Sequence, residues 1–445
     1  MDNQPTICAL ASAIGQGGIS VVRISGAAAG TIAKQMFGQI PKPRYAHYGW
    51  FMDENGTQID KGIALFFPAP HSFTGEDVLE LQGHGGLQVA RLLLDAALAL
   101  GATAAEPGEF SKRGFLNGKM DLLQAEAVAD IIDASSQQSA RSALRSLSGE
   151  FSAQVSALTK ALIELRVFVE ATIDFADEEI DFLASGEVEN KLGKIKQDIQ
   201  TILVSAEQGA ILRDGLNIAI VGKPNAGKSS LLNALTKQPS AIVTDIAGTT
   251  RDVLKETVNI NGMPLNIIDT AGLRASEDKI EQEGIKRAHS EIEQADALLL
   301  VFDAQDGAAD LSILTSADDK AIVLVKNKID LTGEPAVATV VDGKTQISLC
   351  AKNAQGIDLL QQKLVDIAGL NAVGEGVLLA RKRHIIALQS ALSSVDSALT
   401  QLGADACELL AQDLHHAAQD LGQITGEFSS DDLLGEIFSS FCIGK

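Results

Sequence analysis

At 445 residues the chain is longer than one compact core usually holds, so several domains are expected. Apolar residues make up 46% of it, which excludes disorder, and no apolar run approaches the roughly 18 residues that a membrane span needs. The net charge of −22 excludes a protein that holds nucleic acid over its whole surface, so any such contact must use a local patch or a partner's surface.

The first 118 residues hold six of the ten prolines, many glycines and short strand-like runs such as Ile19–Ile24 and Gly62–Phe67, which predicts a small α+β domain. Met1–Leu10 lacks the basic start and apolar stretch of a signal peptide, so a cytoplasmic protein is expected. The four cysteines, Cys8, Cys350, Cys407 and Cys442, form no CxxC pair and suit neither zinc nor a disulfide framework. Free thiols are expected.

No proline lies between Pro107 and Pro224 or after Pro335, so these stretches can hold long helices. Phe151, Val155, Leu158, Leu162, Leu165 and Val169 step by four and three, and so do Ile385, Leu388, Leu392, Val395, Leu399 and Leu402. Each set makes one apolar stripe that needs another helix to cover it. The simplest expectation is one helical domain built from 119–213 and 371–445.

Between these segments, 214–370 alternates strands and helices. Leu216–Val221, Leu265–Ile268, Ala297–Phe302 and Ala321–Val325 read as buried strands of a parallel sheet, with a last helix over Leu359–Ile367. The fold class expected is therefore multidomain α/β, with an N-terminal α+β domain, an all-α domain and an inserted Ras-like P-loop domain with a mainly parallel sheet.

The inserted domain carries the chemistry. Gly222-Lys-Pro-Asn-Ala-Gly-Lys-Ser229 is a full GxxxxGKS loop between strand Leu216–Val221 and the helical stretch Ser230–Leu235. Asn225, Ala226, Gly227, Lys228, Ser229 and Ser230 are expected to wrap the phosphates with backbone N–H groups and a helix N-terminus. Lys228 can reach the β- and γ-phosphates, and the Ser229 hydroxyl can ligate magnesium. Asn327-Lys328-Ile-Asp330 after the strand Ala321–Val325 names guanine, because a carboxylate accepts both the ring N–H and the exocyclic amine, a donor pair that adenine lacks. Cys350, Ala351 and Lys352 occupy the later base contact, with a cysteine where many such proteins have serine. Asp269, Thr270, Ala271 and Gly272 form a DxxG that brings an acidic magnesium partner and a glycine N–H for the γ-phosphate. Thr249-Thr250, inside Asp245–Asp252, offers the hydroxyl expected of a first switch loop, with Thr250 as a magnesium ligand and Thr244, Asp245, Ile246, Ala247, Gly248 and Thr249 expected beside the nucleotide. The residue after DxxG is Leu273, which cannot orient water as the glutamine of many small GTPases does. Arg274 and Glu281 are the nearby charged groups.

These motifs, the internal position of their domain and the ending Phe441-Cys-Ile-Gly-Lys445 resemble the MnmE (TrmE) family of bacterial tRNA-modification GTPases. Phe73-Thr-Gly-Glu-Asp77, Glu80-Leu-Gln-Gly-His-Gly-Gly86, Pro107-Gly-Glu-Phe110 and Ile173-Asp-Phe175 carry the likeness along the whole length. The resemblance implies GTP hydrolysis stimulated by potassium and by pairing of two GTPase domains. Asn225, Thr244, Ile246 and Thr249 fall on the potassium positions, and Glu281 on the glutamate that positions water. It implies a homodimer whose N-terminal domain binds a formyl- or methylene-tetrahydrofolate, with Arg23, Glu80, Lys119 and Lys445 on the folate positions. A pterin's amino group and ring N–H suit Glu80, and folate's anionic tail suits Arg23. Cys442 is either a reactive thiol beside the one-carbon donor or a small residue packed in a tail. His84 is expected to be structural, at a glycine-rich turn. The implied partner is a flavoprotein resembling MnmG (GidA), and the implied product is an aminomethyl-type group on C5 of the wobble uridine of certain tRNAs. The alternative is a regulatory or ribosome-assembly GTPase without folate chemistry.

Overall fold

A computed structural model describes residues 4–13, 15–134, 136–174, 186–236, 255–260, 263–269, 295–311, 320–369, 377–403, 406–428 and 431–444. Contacts divide the chain into two compact units, one of Met1–Ala129, Leu147–Val167 and Leu414–Lys445, the other of Asp130–Ser146 and Phe168–Asp413.

The glycine- and proline-rich N-terminal segment folds as β1 (Ile7–Leu10), β2 (Ile19–Ser25), α1 (Ala29–Phe37), β3 (His47–Met52), β4 (Gln58–Phe67), β5 (Val78–His84), α2 (Leu87–Ala99), β6 (Thr103–Ala104) and α3 (Glu109–Leu116). The six strands run in the order β3-β4-β5-β2-β1-β6. Alternation decides what each face does. Val22, Ile24, Phe51, Ala64, Phe66, Leu79 and Leu81 point one way and pack with Ile32 and Met36 of α1 and Leu93 and Ala97 of α2. Arg23 and Glu80, directly paired in register, have the opposite parity.

The long stretch without proline is helical, with α4 (Leu122–Asp133), α5 (Gln137–Leu147), α6 (Glu150–Asp174) and α7 (Glu187–Asp214). The stripe expected on α6 is buried throughout, from Phe151 to Val169.

The sheet of the middle segment contains β7 (Leu216–Val221), β8 (Lys255–Ile260), β9 (Met263–Asp269), β10 (Ala297–Asp303), β11 (Ala321–Asn327), β12 (Val337–Val341) and β13 (Lys344–Ser348), with α8 (Lys228–Thr236) after β7 and α9 (Ile357–Ile367) after β13. The order is β12-β13-β11-β10-β7-β9-β8. The five inner strands are parallel, and β12 and β8 close the edges antiparallel. Chain order runs away from β7 in both directions, so a topological switch point lies between β7 and β10, where ligands of such sheets bind.

The chain then forms α10 (Lys382–Gly403), α11 (Cys407–Thr425) and α12 (Asp431–Ser439). α10 packs along α7, and the expected stripe is only partly its buried face, with Leu388 and Val395 buried among small residues. His384, Ala387, Leu388, Ala391, Val395 and Ala398 are buried, whereas Ile385, Leu392, Leu399 and Leu402 are half-buried. Alanines let two helices approach closely, which turns the buried face toward the small side chains.

Candidate functional sites

The GxxxxGKS loop leaves β7 at the switch point. Gly222 has φ 148°, and a Cβ there would lie 2.1 Å from the Val301 carbonyl oxygen of β10, so only glycine fits. Asn225 turns the loop with φ 64°, a left-handed conformation that asparagine tolerates. Lys228 opens α8, whose first turn has no acidic residue. Its ammonium donates to the carbonyls of Gly222 at 2.7 Å and Lys223 at 3.0 Å, which holds it over the loop. Ser229 and Ser230 follow in the same turn and are exposed.

The NKxD motif and the Cys350–Lys352 loop gather at the ends of β10, β11 and β13. Asn327 is 2% exposed and uses both ends of its amide. Its Nδ2 donates to the Ala226 carbonyl at 2.9 Å, and its Oδ1 accepts from the Ala351 N–H at 3.0 Å. One side chain thus ties the phosphate loop to the loop after β13. Asp330 accepts a hydrogen bond at 3.1 Å from the thiol of Cys350, itself 1% exposed. The cysteine therefore supplies a donor, although a weak one. Lys352 is exposed beside them.

Asp303 belongs to this constellation and was missed in the sequence. Register pairs it with Asn327, and its carboxylate meets the Lys328 ammonium at 2.7 Å. That hydrogen bond holds its carboxyl below the ordinary carboxylate range. An acidic residue ending the strand beside the NKxD strand was the available signal. Asp269 ends β9 with its backbone described. Its side chain, Thr244–Thr250, Thr270, Ala271, Gly272, Leu273, Arg274 and Glu281 lie outside the described residues.

A second constellation joins the two ends of the chain. Arg23 Nε and Nη2 meet Glu80 Oε1 at 3.0 and 2.9 Å. Arg23 Nη1 also donates to the Gly444 carbonyl at 3.4 Å, across 421 residues of sequence. The tail is pinned by an antiparallel bridge between Pro107 and Ile443 and by a bond from the Gly108 N–H to the Cys442 carbonyl at 3.3 Å. The rings of Phe73 and Phe110 stand 5.5 and 5.8 Å from the Arg23 guanidinium carbon. These aromatics lie in the two N-terminal motifs to which sequence reading gave no role. Lys119 follows α3, with its stem 3.3 Å from where a Cβ on Gly75 would stand. Lys445 lies outside the described residues.

The rest of those motifs is framework. Arg113, 3% exposed, bridges Glu76 at 3.1 Å and Glu109 at 2.7 Å, while Ser25 Oγ bonds Glu76 Oε2 at 2.6 Å and Thr74 Oγ1 at 2.7 Å. His84 closes β5, with its ring nitrogen and N–H both held by Asp60, at 2.8 and 2.7 Å. The thiols divide by exposure. Cys8 and Cys350 are buried, Cys407 is intermediate and Cys442 is exposed. Burial pushes Cys8 up to about 11, which makes it inert at neutral pH. Among the described residues no helix is long and apolar enough to cross a membrane, and no group of three or more His, Cys, Asp or Glu residues is arranged to hold a metal ion.

A GxxxxGKS loop at the switch point of a parallel sheet, with an NKxD motif at a neighbouring strand end, defines a P-loop GTPase. Residues 6–119 match the family described as the GTP-binding protein TrmE N-terminus, and residues 122–442 match the MnmE helical domain. The tRNA modification GTPase MnmE of Ruthia magnifica subsp. Calyptogena magnifica is 64% identical over 444 residues, covering 100% of this chain and 99% of that protein. Those of Hydrogenovibrio crunogenus and Pseudomonas syringae pv. tomato are 55% and 54% identical, each over 99% of this chain and over 98% and 99% of their own lengths. The chain belongs to the MnmE family of tRNA modification GTPases, and it is a GTP hydrolase that acts in tRNA modification.

Proposed function

We propose that this GTPase installs an aminomethyl-type group on C5 of the wobble uridine of certain tRNAs, with a reduced folate as one-carbon donor and a flavoprotein resembling MnmG as partner. The convergence of Arg23, Glu80 and the Cys442–Gly444 tail carries this reading. A guanidinium and a carboxylate side by side, 22% and 16% exposed, suit a ligand that has both a donor edge and an anionic tail. Phe73 and Phe110 add flat apolar surface beside them. Glu80 would hold the pterin edge, while Arg23, Lys119 and Lys445 would hold the tail. The folate would supply the carbon unit, and the exposed Cys442 would act beside it as a thiol.

At the nucleotide site, Ser229 and Thr250 would hold magnesium, and Asn225, Thr244, Ile246 and Thr249 would hold potassium. The exposed Asn225 at the bend of the loop fits a cation ligand, because its side chain brings a neutral amide oxygen to that bend. The cation would neutralise charge that develops between the phosphates. Lys228 grips the phosphates, and Glu281 positions the attacking water in place of the missing glutamine. Hydrolysis would then pair and separate the GTPase domains of a cytoplasmic homodimer. Its chain would be divided into 1–118, 119–213 with 371–445, and 214–370.

Calorimetry on the full-length protein tests the reading. A reduced folate should bind the parent, bind Glu80→Gln more weakly and leave GDP affinity unchanged. Potassium in place of sodium should raise GTP hydrolysis, and Asn225→Ala should remove the rise. No folate binding to the parent would return the chain to the regulatory alternative.

A further inference from the structure

The two places where the chain crosses between long helices and the nucleotide-binding sheet meet on one carboxylate. Outbound, α7 ends at Asp214 and β7 begins at Leu216. On the return, Arg381 stands directly before α10. Arg213 Nε and Arg381 Nη2 each lie 2.9 Å from the same oxygen, Oδ1 of Asp130. Asp130 sits in α4 and is 8% exposed. With so little water to replace either partner, the carboxylate and both guanidiniums hold one another in a single arrangement.

Neighbouring contacts fasten the same two crossings. Gln208 Nε2 donates to the Gly369 carbonyl at 3.2 Å, and the Leu378 N–H donates to Ser205 Oγ at 3.0 Å. A Cβ on Gly209 would lie 1.8 Å from the Leu378 carbonyl oxygen, so the returning segment rests directly on the α7 backbone. Consecutive residues at the end of α7 face different neighbours. Ile211 packs against the sheet core, Leu212 joins Ile131, Ala143, Val377 and Leu379, and Arg213 reaches Asp130.

The clasp is wired to the strand that carries DxxG. Asn266 of β9 donates from Nδ2 to the Asp214 carbonyl at 2.7 Å and lies three residues before Asp269. At the start of α4, Leu122 and Ala125 pack with Phe438 and Phe441, the residues that lead to Cys442.

We infer that Asp130 is the coupling residue through which nucleotide state at DxxG reaches both chain crossings and, along α4, the tail that bears Cys442. The inference rests on the reading that Cys442 works at the Arg23–Glu80 site. A shift of β9 pulls on Asp214 and so on Arg213. Because Arg381 shares the same carboxylate oxygen, the two crossings respond together rather than separately.

The test measures the alkylation rate of Cys442 in the full-length chain carrying Cys407→Ser, with GDP or with a non-hydrolysable GTP analogue. The parent rates should differ between the two nucleotides by about fivefold or more. Asp130→Asn, which keeps the shape and removes the charge, should shrink the difference to within about twofold while GDP affinity stays unchanged. Arg381→Lys keeps the charge and loses the fork, and should shrink it too; this variant carries the test if Asp130→Asn does not melt cooperatively. A full nucleotide dependence in a folded variant, or equal rates in the parent, overturns the inference. Folate binding and GTP hydrolysis by the parent are measured alongside. They judge the underlying reading, so failed coupling with both intact counts against Asp130 alone.

Discussion

The NKxD end of the parallel sheet and the Arg23–Glu80 constellation are built in opposite ways. The first is assembled from short motifs that each follow a strand, and register brings them together, as Asp303 opposite Asn327 shows. The second joins residues 421 positions apart, and its parts come from β2, β5, the turn before α3 and the tail. A site made of strand ends inherits its geometry from the sheet. A site made of chain ends depends on every element that positions the tail.

The largest expected effect lies at the sheet end. Asp330→Asn should reverse base choice from guanine toward xanthine, a change in discrimination on the order of 10⁴, because the amide presents a donor where the carboxylate accepted. Equal GTP affinity in variant and parent would remove Asp330 from the base site.

Next is the framework beneath the chain-end site. Glu76→Gln leaves the buried Arg113 short of a charged partner and should cost about 3 kcal/mol of stability, read as a lower midpoint in chemical denaturation. Neither Glu76 nor Arg113 takes part in the Asp130 clasp, so the GDP affinity of the still-folded variant should stay unchanged. A parallel loss of GDP binding would break the contrast.

Glu80→Gln removes one charge-assisted hydrogen bond and should weaken folate binding by about 10- to 100-fold, with no change in GTP hydrolysis. An unchanged folate affinity would place the ligand elsewhere.

The smallest effect concerns acid. The Lys328 ammonium lowers the Asp303 carboxyl from its ordinary 3.8, so the pair's contribution is complete above that value and is lost as pH falls through the lower folded value. Asp303→Asn should flatten that limb of the melting temperature against pH. An identical acid limb in the variant would mean that the pair adds no stability.

The same contrast explains what was legible in the sequence. Leu216–Val221 is the observed β7, and Ala297–Phe302 and Ala321–Val325 lie inside β10 and β11, because continuous apolar runs between breakers leave little choice of period. The phosphate loop and NKxD stand where their spacing put them. Composition could not show that α10 turns its alanines inward, because a pattern of large residues records hydrophobicity and not the distance between helix axes. Nor could it reveal Phe73 and Phe110 beside Arg23, since nothing local to either motif refers to β2. Arg23 and Glu80 were named through family likeness. Read alone, each is a single charge on a strand, and their pairing exists only in the register of β2 with β5.

The amide of Asn327 gives the nucleotide site one further property. Because the same side chain is bonded at 2.9 Å to the GxxxxGKS loop and at 3.0 Å to the loop after β13, neither loop can settle without helping to order the other. Half-ligands should expose this. Guanosine alone and pyrophosphate alone each bear the whole cost of ordering a loop, and joined in one molecule they bear it once. Binding free energies of the two halves should therefore add up to less than that of the intact nucleotide, and Asn327→Ala should bring the sum and the whole closer together.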